Sequence, residues 1–135
     1  MGVGTNCIEQ RRRLLAVIFV VVLSASCATR GSDIDKSYAL AIGGDPARGV
    51  QTIQRAGCGS CHVIPGVAGA HGLAAAPLLW FSRRTFIAGE VPNTPDNLVR
   101  WILSPQGIEP HTAMPNVGLS DQQARDVAAY LFTLR

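Results

Sequence analysis

Residues 14–23 are apolar without a break, whereas the chain beyond residue 44 sets short apolar faces against polar ones. A helix of ten residues spans about 15 Å, roughly half the hydrocarbon core of a bilayer. Preceded by Arg11, Arg12 and Arg13, the run reads as the centre of an export signal over residues 1–28, with an uncleaved signal anchor as the rival. Residues 29–44, with Gly, Ser and Asp, read as a flexible tether. Asp45-Pro46 then predicts a helix over 46–56, Asp45 capping it and Pro46 filling the first turn, with Val50, Ile53 and Gln54 on the inner side. Gly49 inside that helix is locally unfavourable and predicts the close approach of another helix. A short helix is predicted over 80–88, ending at Gly89. Another runs over 95–103, with Thr94 as cap and Leu98, Trp101 and Ile102 on one face.

The clearest pattern is the last. Ser120 and Gln123 form a capping box, and Val127, Tyr130, Leu131 and Leu134 recur on one face. The first and last helices are expected to pack together, with Tyr130 near Gly49. Residues 63–77 and 104–118 lack periodicity and read as loops, the second long enough to be functional. The domains expected are therefore a leader over 1–28, a tether over 29–44 and one folded domain over 45–135.

Of the formal net charge of +3, two units belong to the leader, so the basic balance says little about partners. No basic stripe with interleaved aromatics supports nucleic acid binding. Without the leader, about 107 residues remain, a marginal core by area alone. Leu23-Ser24-Ala25-Ser26-Cys27 resembles a lipobox, imperfectly because Ser24 stands where a large aliphatic residue is usual. Lipidation of Cys27 is favoured and cleavage after Ala28 competes with it.

Chemistry concentrates in Cys58-Gly59-Ser60-Cys61-His62. Two thiols three residues apart, with a histidine next, suit covalent attachment of haem c: Cys58 and Cys61 add to the porphyrin's vinyl groups and His62 turns under the iron. Half a zinc site, a thioredoxin-like redox pair and a disulfide are the alternatives. Zinc wants two further ligands, and the redox pair wants a preceding strand, where a helix is predicted here. A porphyrin would also supply the missing apolar centre, so the chain without haem is expected to fold poorly.

With this motif, the loop methionine of Ala113-Met114-Pro115-Asn116 and the terminal Ala-Ala-Tyr-Leu-Phe-Thr-Leu, residues 46–135 resemble the class I cytochromes c. Asn93-Thr94-Pro95-Asp96-Asn97-Leu98 and Trp101-Ile102 narrow the resemblance to the cytochrome c domain fused to subunit II of haem-copper oxidases. The resemblance implies an all-α fold of three to four helices wrapped round one covalent haem. It implies Met114 as the second axial ligand opposite His62, and the Pro77 carbonyl as acceptor for His62 Nδ1. His111 stands where the family has Gly before the methionine and is a rival ligand, with His71 a weaker one. Arg83, Arg84 and the indole of Trp101 are candidate donors to the haem propionates. Leu78-Leu79-Trp80 predicts an apolar haem rim.

The function expected is single-electron transport, with no bond chemistry on a substrate. A terminal oxidase is the expected acceptor, with a quinol-oxidising complex or a dehydrogenase as donor. The location expected is the periplasm or the outer face of the cytoplasmic membrane, held there by a lipid anchor at the N-terminus. The alternatives are the haem subunit of a periplasmic dehydrogenase or, with Met114 unbound, a gas-binding or peroxidase-like protein.

Overall fold

Asp45 opens the first helix as its sequence predicts: in this computed structural model its carboxylate accepts from the N–H groups of Ala47 and Arg48, and Pro46 occupies the first turn of α1, Pro46–Arg55. The structure describes Ser37, Ala39 and residues 42–135. The signal over 1–28, Cys27 and most of the expected tether lie outside the described residues. The last part of that tether is packed. Ile42 is 1% exposed, and its carbonyl accepts from Arg125 Nη1 at 3.0 Å. Gln122 Nε2 likewise donates to the Gly43 carbonyl at 2.9 Å.

α2, Pro95–Leu103, starts at Thr94, whose hydroxyl accepts from Asn97 N–H. It buries Leu98, Val99, Trp101 and Ile102, a wider face than the three residues predicted. α3, Asp121–Thr133, carries the full capping box between Ser120 and Gln123. Its buried arc includes Ala124, Ala128 and Ala129, because α1 packs on one side of it while α2 and the turn at Phe81 pack on the other. Small residues let all of these approach; Phe132 meets Phe81 edge to face at 6.1 Å.

Gly49 is where α1 and α3 cross. A Cβ there would lie 2.2 Å from the Asp126 carbonyl oxygen and 3.0 Å from Tyr130 Cβ, so the predicted approach of Tyr130 to Gly49 is observed. On α1, Ile53 is buried and Val50 partly so, but Gln54 is exposed and Thr52 is buried instead. Its hydroxyl donates to the Arg48 carbonyl at 3.0 Å, which satisfies the polar atom within the helix. The crossing also buries Asp126, 3% exposed, which accepts from Arg48 Nε (2.9 Å) and Nη2 (3.0 Å), Asp45 N–H (2.8 Å) and Gln122 Nε2 (3.0 Å). The Arg48 bonds hold its carboxyl below the usual carboxylate range.

The helix predicted over 80–88 does not form. Phe81–Arg83 is a single 3-10 turn, followed by two-residue strands β1, Phe86–Ile87, and β2, Val91–Pro92, paired antiparallel. Trp80 and Ala88 both have positive φ, 48° and 53°, which no right-handed helix accommodates. Asn93, distant in sequence, supplies the reason. Its Nδ2 donates to the carbonyls of Phe81 (3.0 Å) and Arg84 (3.1 Å), taking acceptors that a helix would use internally. The fold among the described residues is therefore helical with one small hairpin added.

Candidate functional site

Gly57, at φ 70°, stops α1 and turns the chain directly into the 3-10 turn Cys58–Ser60. The Cys58 carbonyl accepts from the N–H of Cys61 (3.3 Å) and of His62 (3.0 Å), so both thiols and the imidazole leave a single helical turn. Ser60 fastens that turn through Oγ to the Gly57 carbonyl at 2.7 Å. Both cysteines are half-buried and neither is in a disulfide; for Cys58 as a thiol, burial is the largest influence and pushes its pKa up.

The loop after the motif folds back over it. Gly72 N–H donates to the Gly59 carbonyl at 2.9 Å, and a Cβ on Gly59 would come within 2.6 Å of Ala70 Cα. Glycine between the cysteines is therefore required by the loop's approach. Tyr130 on α3 donates its hydroxyl to the Pro65 carbonyl, tying the loop to the last helix.

Two bonds set the register beside the histidine. The Cys61 carbonyl accepts from Ala75 N–H at 3.0 Å and the Val63 carbonyl from Leu78 N–H at 2.8 Å. Between them Ala76 comes opposite His62, and its carbonyl lies 2.7 Å from Nδ1. The acceptor is thus Ala76 and not Pro77, as the resemblance had implied. The Pro77 carbonyl accepts from Arg84 Nη2 instead. Because a carbonyl only accepts, the proton sits on Nδ1 and the lone pair of Nε2 is left for a metal.

Arg84 spends its guanidinium on the Pro77 carbonyl and lies 5.5 Å from the Phe81 ring centroid, so it braces the 77–81 backbone. Arg83 is exposed on the neighbouring turn and Trp101 is buried in the core. Arg100, exposed, donates Nη1 to Asn97 Oδ1 within α2. Leu78 packs on the core while Leu79 and Trp80 are exposed.

Met114 is partly buried and packs against the same core cluster as Cys58. Its carbonyl accepts from Gln106 Nε2 at 2.7 Å and its N–H donates to Thr112 Oγ1 at 3.3 Å. His111 and His71 are exposed; the backbone N–H of His111 donates to Glu109 Oε1 at 2.8 Å, and His71 forms a backbone bridge with Val63. Ala76, Gln106 and Asn93 were missed in the sequence. Asn beside Thr-Pro and Gln beside Pro are the weak local signals that pointed to the last two.

Among the described residues no three His, Cys, Asp or Glu side chains gather round a point where a metal ion would sit. No described helix is long and apolar enough to cross a membrane. The groups present fit a haem c: two thiols on one turn could bond to the porphyrin edge, and an imidazole with Nε2 free and a half-buried thioether could ligate its iron.

Comparison with known proteins agrees with this chemistry. Residues 46–135 match the family model described as cytochrome c. A similar protein is cytochrome c oxidase subunit 2 of Alkalihalophilus pseudofirmus, 32% identical over 90 residues, which cover 65% of this chain and 25% of that protein. The chain thus spans about a quarter of the relative it matches. No solved structure matches.

Proposed function

Because this chain belongs to the cytochrome c family, whose cofactor is a covalently attached haem c, we propose that it carries single electrons through one haem that Cys58 and Cys61 would hold, with His62 and Met114 as the ligands its iron would take. Electron transfer through haem is the chemistry of the family; the residue roles are our assignment. When bound, the iron takes up and returns one electron, at a potential that the thioether and the imidazole tune. The observation that carries the assignment is the bond from His62 Nδ1 to the Ala76 carbonyl, which fixes the tautomer and leaves the Nε2 lone pair free to ligate.

The protein's own groups hold the geometry still. Cys58 and Cys61 would hold the haem, the 61–78 loop clamps the imidazole, and Met114 would supply the second ligand, so little would have to move when charge changes. His111 and His71 are exposed, which favours Met114 over either as the second ligand.

Its partners are redox proteins. A terminal oxidase is the acceptor we favour, on the strength of the match to an oxidase subunit 2, with a quinol-oxidising complex or a dehydrogenase as donor. The exposed side chains of Leu73, Leu79 and Trp80 near the motif suit brief apolar contact with such a partner. We place the protein outside the cytoplasm, attached to the membrane through its N-terminus, on the leader alone. Redox titration of the intact protein tests the reading: one reversible one-electron wave from a haem that acid-organic extraction does not remove supports it, and an extractable or redox-silent haem overturns it.

A further inference from the structure

Among the described residues, no backbone-to-backbone hydrogen bond ties residues 113–118; the bonds of the 104–118 loop end at Thr112, whose N–H donates to Glu109. Met114 nevertheless stays against the core. The Thr112 and Asn116 side chains that bond backbone here reach only two residues along the chain. Gln106 reaches eight, donating from Nε2 to the Met114 carbonyl at 2.7 Å. It stands on a firm mount: the 3-10 turn Pro105–Gly107 follows α2 directly, with Pro105 fully buried beneath it.

We infer that Gln106 is the positioning residue for Met114, and that its amide sets how firmly the thioether is held to the iron. This rests on the proposed ligation by Met114. An incoming ligand at the sixth position must displace the sulfur, and the loop must swing for that to happen. With the Gln106 bond intact, the swing breaks one hydrogen bond more than without it. Gln106 itself is exposed, so its replacement opens no cavity in the core.

The test is imidazole binding to the ferric holoprotein, followed by absorption, in the native protein and in the Gln106→Leu, Gln106→Glu, Gln106→Arg and Met114→Ala variants, with urea midpoints measured alongside. Leu and ionised Glu offer no donor, and imidazole should bind each about fivefold more tightly, the factor that one average hydrogen bond supplies. Arg keeps a donor and should stay near native. Urea midpoints of the Leu and Glu variants should fall by no more than that one bond accounts for, and at saturating imidazole they should match native, which a purely structural role would not give. Native affinity in both Leu and Glu, with Met114→Ala binding more tightly than native, overturns the role of Gln106 alone. Equal affinity in native and Met114→Ala overturns the ligation on which it rests.

Discussion

Arg48 and Asp126 meet in a two-point ion pair where α1 crosses α3, Nε on Oδ2 at 2.9 Å and Nη2 on Oδ1 at 3.0 Å. The same carboxylate takes the N–H of Asp45, so it also completes the start of α1. Its folded pKa lies below the ordinary value, so the pair adds stability that is fully present above the unfolded pKa of about 3.9 and is lost as pH falls through the lower folded pKa. Urea midpoints of the native protein should therefore fall on acidification below about pH 4, and Asp126→Asn should flatten that part of the profile. At neutral pH the variant should lose about 2 kcal/mol, as charge-assisted bonds to a buried group are worth that much. An unchanged acid slope would remove the carboxylate from the account.

At the same crossing, helix propensity and packing make opposite predictions for Gly49→Ala. Propensity alone would gain about 1 kcal/mol. The added Cβ would lie 2.2 Å from backbone oxygen on α3, which cannot yield like a side-chain tip. Packing should win, with a loss of about 3 kcal/mol in thermal or urea unfolding. A stabilised variant would mean that the helices do not approach as described.

Tyr130 ties the last helix to the loop over the thiols through the Pro65 carbonyl. Tyr130→Phe should cost about 1 kcal/mol. It should also raise the rate of proteolytic cleavage within residues 63–77 more than elsewhere, read by mass spectrometry of early fragments. Cleavage that rises evenly along the chain would argue for a general loss of stability.

Removing the thiols tests what the cofactor does for the fold. In the Cys58→Ser, Cys61→Ser double variant no covalent haem should remain after denaturation. The resulting chain should show weak helical circular dichroism and rapid proteolysis, because a domain this small has little core to spare. A cooperative, protease-resistant apoprotein would contradict this.

Local chemistry was legible in the sequence and distant chemistry was not. Asp45-Pro46, Thr94-Pro95 and Ser120 with Gln123 each announce a helix start through bonds made within three residues, and all three starts stand where their caps predict. The stretch 80–88 failed because Asn93 and the left-handed Trp80 decide it, one acting from nine and twelve residues away and the other through backbone geometry that tryptophan does not advertise. Ala76 replaced Pro77 beside His62 for a reason of register, since one backbone bond on each side places residue 76 there. The Asp126 cluster draws on residues 45, 48, 122 and 126, so no single window of sequence contains it. The Cys58–His62 motif, by contrast, carries its chemistry within five residues.

Whether His62 and Met114 together hold the iron is read most directly in the absorption spectrum of the ferric holoprotein. A weak band at the red end of the visible spectrum is expected in the native protein, retained in His111→Ala and lost in Met114→Ala. A band that survives in Met114→Ala, or one that disappears in His111→Ala, would contradict it.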